Sequence, residues 1–384
     1  MALTVLNPAT EEPIAQLERA GVEETDAAVA RAKAAFPAWR AVAPDDRGRL
    51  LRRVATLVEE HAEELAQIES RNVGKPISGA RWEIGMVARV FHFYAGAVDK
   101  HYGETIPVAG GVAVTFREPL GVVGLITPWN FPLNIASWKL GPALACGNTV
   151  VLKPAELTPL SALRLGELIV EAGIPEGVVN VLVGKGSVAG QRLVEHPDVA
   201  KIGFTGSTEV GQTVMRGAAG TIKRVTLELG GKSANVVFAD ADIDQAAASA
   251  PYAVFDNAGQ DCCARSRILV QRSVYDRFAE LLIAATRGVK VGDPADESTE
   301  MGPLISAAHR ETVASFVEGT PLFQGEAPAG PGFWFPCTLV EASNDDRVAR
   351  DEVFGPVAAI LFTEEGARVC AADVNVEAAE ETVS

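Results

Sequence analysis

The chain reads as an α/β protein: a doubly wound parallel sheet, a second α/β unit after it, and a protruding β-hairpin. Three observations predict this. From Leu120 to Gly230 short apolar runs alternate with helical stretches, the pattern of strands joined by crossover helices and covered on both faces. From Ser233 the alternation begins again, and His101 to Pro119 interrupts the first helices with the period-two pattern of a hairpin. At 384 residues, 48% of them hydrophobic, the chain can fill two cores and is not expected to be disordered.

Taken in order, Asn7-Pro8-Ala9-Thr10 lies so near the start that no strand is expected ahead of it. A helical pattern follows from Val22, with Ala27, Val29, Ala32, Ala35 and Phe36 as its apolar members, and Pro37 is expected to end it. Further helices are predicted over Arg47 to Glu59, Ala62 to Arg71 and Val87 to Val98. Within the hairpin, Ile106-Pro107-Val108 and Val112, Val114 and Phe116 flank a turn at Gly110-Gly111. The parallel strands are predicted at Val122 to Ile126, Thr149 to Leu152, Val178 to Val183, Lys201 to Phe204 and Val225 to Leu227, with a helix over Ser161 to Ala172.

The second unit is expected to hold strands at Val236 to Phe238, Ile268 to Val270 and Val357 to Phe362. Its helices should lie near Ile243 to Phe255, Val274 to Ala285 and His309 to Val317. Proline and glycine between Pro321 and Pro336 predict a surface excursion, and the acidic, alanine-rich 364–384 adds no expected core element. The domain division is 1–100 with 120–230, then 101–119 as the hairpin, and 231–384.

Charge and cysteine usage exclude several classes. Acidic residues outnumber basic ones 50 to 34, leaving a net charge of −16 and no electrostatic footprint for nucleic acid. No leader pattern or membrane-length apolar run is read, so a cytoplasmic protein without membrane attachment is expected. The 5 cysteines form neither a disulfide framework nor a Cys-x-x-Cys arrangement, which fits a reducing compartment and predicts no metal site.

The chemistry concentrates at strand ends. Gly259-Gln260-Asp261-Cys262-Cys263 sits on a turn or short helix start, where only one of the adjacent thiols can point into a given cleft to meet a substrate, buried packing of the pair being the plain alternative; Asp261 is read as capping that turn, the alternative being a preference for a polar or cationic substrate. Glu228 ends a strand above Gly230-Gly231, a placement suited to a general base, though a surface carboxylate near Lys232 is the plain alternative. Asn130, between prolines and aromatics in Thr127-Pro128-Trp129-Asn130-Phe131-Pro132, can hold its amide rigidly toward an oxyanion, or simply close its own turn. Phe204-Thr205-Gly206-Ser207-Thr208 opens a helix whose free amides can receive pyrophosphate without a basic residue. Lys153 and Glu156 can both reach ribose hydroxyls, and the carboxylate would repel a 2′-phosphate, favouring NAD over NADP.

Together these motifs, with Glu352-Val353-Phe354-Gly355-Pro356, resemble the NAD(P)-dependent aldehyde dehydrogenase superfamily from about Asn7 to Phe362. The resemblance implies an aldehyde-dehydrogenase-like fold: a doubly wound cofactor domain, an α/β catalytic domain and an oligomerisation hairpin. It implies Cys262 as nucleophile, Glu228 as general base and Asn130 in the oxyanion hole. It implies NAD contacts from Ile126, Thr127, Pro128, Trp129, Lys153, Glu156, Gly186, Phe204, Thr205, Gly206, Ser207, Leu229, Gly230, Glu352 and Phe354. An aldehyde substrate and a homodimer or homotetramer follow by the same resemblance. Because 364–384 diverges from the family's continuing run of strands and helices, a second reading is a truncated homologue that binds NAD, or joins a full-length relative through the hairpin, with little turnover.

Overall fold

The structure, a computed structural model, describes residues 2–363. The chain divides into two compact units. The first comprises Met1–Gly230, Lys290–Arg310 and Ala327–Phe335; the second comprises Gly231–Val289, Glu311–Glu326 and the chain from Pro336.

The first unit opens with an antiparallel pair, β1 (Ala2–Leu6) and β2 (Pro13–Glu18), where no strand was expected. Only Leu3 and Val5 of β1 turn inward, packing against Val183, too few to mark a strand in the sequence. Helix α1 (Val22–Ala41) also runs past the proline that was expected to stop it. Pro37 forfeits a single N–H, while Trp39, fully buried two residues on, anchors the last turn to the core. Then come α2 (Pro44–Glu60), α3 (Ala62–Val73), closed by Gly74 at φ 90°, and α4 (Ile77–Ala97).

The hairpin is present as β3 (Thr105–Val108) and β4 (Gly111–Val114), paired Thr105 to Val114 and turned at Gly110 with φ 79°. All its strand residues are exposed. Next follow β5 (Val122–Ile126), α5 (Pro132–Ala145), β6 (Thr149–Lys153), α6 (Leu160–Glu171) and β7 (Val179–Val181). A π-helical turn, Gly186–Gly190, leads into α7 (Gln191–Glu195), β8 (Val199–Thr205), α8 (Thr208–Ala219) and β9 (Arg224–Glu228).

These strands form a parallel sheet in the order β7-β6-β5-β8-β9. Every residue of β5 and β6 is buried, as a sheet covered on both faces requires. Val123 and Leu125 face a core shared with α2 to α6, whereas Val122 and Ile126 face one shared with α1, α7 and α8. The order reverses about β5, and in such sheets ligands gather beyond the carboxyl ends of the strands at the reversal.

The second unit holds β10 (Ala234–Val237), α9 (Ile243–Phe255), β11 (Arg267–Gln271) and α10 (Tyr275–Arg287). After α11 (Ala307–Ala314) come β12 (Phe323–Gln324), β13 (Thr338–Glu341), α12 (Arg347–Arg350) and β14 (Val357–Thr363). Their sheet runs β10-β11-β14-β13-β12, parallel except for β12. The Pro/Gly-rich stretch expected as a surface excursion therefore carries an edge strand, with β13 directly beyond it. The reading of 364–384 lies outside the described residues. Among those described, no helix is long and apolar enough to cross a membrane.

Candidate active site

In the first unit the motif residues line the carboxyl edge of the sheet. Ile126 ends β5, and the N–H of Thr127 donates to Lys153 O at 3.1 Å, tying that edge to β6. The chain then bends at Trp129 and Asn130. The carbonyl of Trp129 accepts from Thr158 Oγ1 at 3.0 Å, and its ring stands edge-on to His309 with centroids 5.3 Å apart. Asn130 is 5% exposed. Behind it Lys75 Nζ lies 4.6 Å from the Phe131 ring centre while paired with Glu69 at 3.3 Å and Glu83 at 2.6 Å, all three side chains buried. A cation over an aromatic face and two buried ion pairs hold this loop from below.

Lys153, 3% exposed, donates to Pro154 O at 2.9 Å. Burial lowers its pKa to about 8, opposed by Glu156. Glu156 itself accepts from Arg19 Nε at 2.7 Å, an orientation no local spacing could foretell. Gly186 opens the π-helical turn after β7. Phe204 and Thr205 end β8, and the N–H of Gly206 donates to Glu228 O at 3.1 Å, placing the Ser207 turn beside the end of β9. A side chain at Gly206 would meet the Phe204 ring at 2.6 Å. Ser207 caps α8, its Oγ accepting from Val210 N–H at 3.3 Å, and is exposed with the helix's first turn. Such an exposed N-terminus fits a phosphate group. Leu229 packs on Gly211, where a Cβ would come within 2.5 Å of its Cδ2. Gly230 completes this edge, half-buried.

Glu228 is exposed and borders a cavity of about 890 Å³ that Thr205, Lys139, Lys201 and Arg224 also line. Burial brings the pKa of Lys139 down to about 8, with the Glu228 charge working the other way. Lys139 escaped the sequence reading, although a lone charge in an otherwise apolar helix was its available signal.

In the second unit the thiols follow an unusual turn. Asn257, Ala258 and Gly259 take φ values of 48°, 56° and 68°, left-handed backbone that side-chain-bearing residues rarely adopt. Gln260 secures it: its N–H and its Nε2 both reach Asn257 O, at 3.1 and 3.0 Å. A Cβ on Gly259 would fall 2.2 Å from Gly355 O, so the cysteine turn is seated on the Glu352 motif, whose Phe354 also has positive φ, 55°. Asp261 Oδ1 accepts from Cys263 N–H at 3.0 Å, the turn-closing role expected of it.

Cys262 is half-buried and Cys263 exposed, with their sulfurs 3.8 Å apart. Burial pushes the Cys262 thiol up to about 12, helped by Cys263 and Asp261. Gly231 donates its N–H to Glu352 Oε1 at 3.2 Å, and a Cβ there would stand 3.5 Å from Cys262 O. Burial raises the Glu352 carboxyl, and it lowers Lys232 to about 8. Lys232 Nζ is buried without a hydrogen-bond partner. Lys232 thus answers to Arg267, Glu352 and Asp351 within this unit.

Residues 1–373 match the family described as the Aldehyde dehydrogenase family. The chain belongs to that family. It is 45% identical over 369 residues to an aldehyde dehydrogenase-like protein of Schizosaccharomyces pombe, covering 93% of this chain and 73% of that protein. To the cytosolic 10-formyltetrahydrofolate dehydrogenase of Xenopus tropicalis it is 42% identical, spanning 94% of this chain but only 42% of that relative. The crystal structure of PnpE in complex with nicotinamide adenine dinucleotide superposes with a TM-score of 0.93 at 46% identity, over 95% of this chain and 77% of that one. As an aldehyde dehydrogenase family member, the chain carries its thiol turn and its Glu352 motif in one unit, and Asn130, Lys153, Ser207 and Glu228 along one sheet edge of the other.

Proposed function

We propose that the chain oxidises an aldehyde to a carboxylic acid with NAD, using Cys262 as nucleophile. The observation that carries this reading is the turn at Asn257–Gly259. Three successive left-handed residues, fixed by Gln260 and seated on Gly355, precede a half-buried thiol in the loop that leads to β11. Backbone strain of that kind is retained where it positions a reacting group.

The first unit is the cofactor domain in this proposal. Ser207 and the first turn of α8 receive the pyrophosphate, and Lys153 with Glu156 receive the adenosine ribose. Ile126, Thr127, Pro128, Trp129, Gly186, Phe204, Thr205, Gly206, Leu229 and Gly230 shape the surrounding surface. The residues fit such a group: Lys153 is buried with a single backbone partner, and the Thr127 and Thr205 hydroxyls are buried without hydrogen-bond partners. In the second unit Glu352 and Phe354 hold the nicotinamide riboside.

Cys262 loses its proton, and the thiolate forms a C–S bond to the aldehyde carbon. The amide of Asn130 and the N–H of Cys262 donate to the oxyanion. When bound, the dinucleotide supplies the hydride acceptor that converts the thiohemiacetal to a thioester. Glu228 then takes a proton from water, which adds to the thioester carbon; the C–S bond breaks, releasing acid and thiolate.

The hairpin over 101–119 is proposed to pair copies of the chain into a dimer or tetramer, and the protein to act in the cytoplasm. The test is NADH formation by purified protein against aliphatic, aromatic and amino aldehydes. Turnover with at least one class, abolished in Cys262→Ala, is expected. Binding of NAD with no turnover of any aldehyde would contradict the oxidative assignment.

A further inference from the structure

We propose that Asp261, Cys262 and Cys263 form a capture site for a thiophilic divalent cation such as Zn²⁺ or Cd²⁺, and that filling it switches the chain off. One carboxylate oxygen and the two sulfurs lie within 4.8 Å of one another. The sulfurs are 3.8 Å apart. Zinc–thiolate bonds of about 2.3 Å in tetrahedral geometry place two sulfurs roughly 3.8 Å apart, so one ion bridges this pair with little rearrangement. A direct disulfide would need about 2.05 Å between sulfurs. It would also need a Cα spacing that adjacent residues, about 3.8 Å apart, do not offer within the usual range of roughly 4.4 to 6.8 Å.

The third ligand is already oriented. Asp261 Oδ1 accepts from Cys263 N–H at 3.0 Å, which fixes the carboxylate against its own turn. Cys263 is exposed, giving the ion a way in and leaving a fourth position for water. Capture forms two metal–sulfur bonds and one metal–oxygen bond, releases two thiol protons to solvent and changes no oxidation state. No Cys-x-x-Cys spacing announced the site, because its ligands are consecutive residues brought together by a tight turn. The loss of activity rests on Cys262 being the nucleophile; capture of the ion does not.

Cd²⁺ titration of the reduced protein, followed by ultraviolet thiolate-to-metal charge-transfer absorbance, reads capture without turnover. One equivalent is expected to develop the band, with affinity at least tenfold weaker in C263S and D261N. The band should vanish in C262S/C263S, with circular dichroism confirming that each variant is folded. Zn²⁺ should stop NADH formation reversibly on addition of EDTA, and C263S should need at least tenfold more Zn²⁺ than wild type to halve its own rate. An unchanged band in C262S/C263S would overturn the site. So would inhibition reversed by dithiothreitol but not by EDTA, which would mark oxidation of the pair instead.

Discussion

The backbone N–H of Gly231 donates to Oε1 of Glu352 at 3.2 Å, joining two motifs that lie far apart in sequence. Gly231 also closes against the carbonyl of Cys262, so the thiol turn, the glycine pair and the carboxylate form one structural group. Glu352→Gln retains an acceptor oxygen and Glu352→Ala does not. The alanine variant is expected to raise KM for NAD at least tenfold and to cost about 0.5–1.5 kcal/mol of stability, the net range for a typical solvent-accessible hydrogen bond. Glutamine should recover most of the stability. Denaturant unfolding alongside NAD kinetics checks both, and equal effects of the two substitutions would refute the role of the bond.

Cys262 is held at about 12 by burial first, then by Cys263 and Asp261, so the thiol is almost entirely protonated at neutral pH without cofactor. Alkylation of Cys262 by iodoacetamide should be slow at pH 7.5 and should rise close to tenfold per pH unit until about pH 11, because only the thiolate reacts. Bound NAD, with its cationic nicotinamide, should accelerate labelling. Site-resolved mass spectrometry after timed quenching measures it.

Lys139, Lys153 and Lys232 each drop from 10.5 to about 8 through burial. Between about pH 8 and 10.5 the unfolded chain holds more protons on these groups than the folded one, so their contribution to stability rises with pH across that window. Below it the charged lysines penalise folding. Lys139→Met should therefore stabilise the chain at pH 7 by about 1–3 kcal/mol and flatten the rise toward pH 10. Chemical denaturation at the two pH values checks the sign.

The buried Lys75 neutralises Glu69 and Glu83 beneath Phe131. Lys75→Met leaves two buried carboxylates without their cation and should destabilise by about 3–5 kcal/mol. Adding Glu69→Gln and Glu83→Gln should return a large part of that loss. Thermal unfolding of the single and triple variants distinguishes this from a simple packing defect.

Legibility in the sequence followed how local each cause is. β5 and β6, buried at every position, show as short apolar runs, Val122 to Ile126 and Val150 to Leu152, and α9 shows its full span from Ile243 to Phe255. β1 was hidden because its two inward residues find their partner, Val183, far along the chain. α1 was cut short at Pro37 because local propensity could not know that Trp39 would be buried. The edge strand β12, only two residues long, could not outweigh the prolines and glycines around it. The turns after β5, β6, β8 and β9 were legible because each follows a strand end with its own glycines or prolines. The long-range partners, Arg19 for Glu156 and Lys75 for Phe131, were not, and neither was the left-handed Ala258, since alanine, unlike the asparagine before it, has no preference for that region.

The central claim is that the sulfur of Cys262 carries the acyl group. Intact and peptide mass spectrometry of Glu228→Gln, incubated with NAD and an aldehyde oxidised by the wild type, tests it most directly. Slowed hydrolysis should let an acyl adduct accumulate on Cys262, with one NADH formed per chain in the first turnover. An adduct on Cys263, or a burst of NADH with no adduct on either cysteine, would contradict the account.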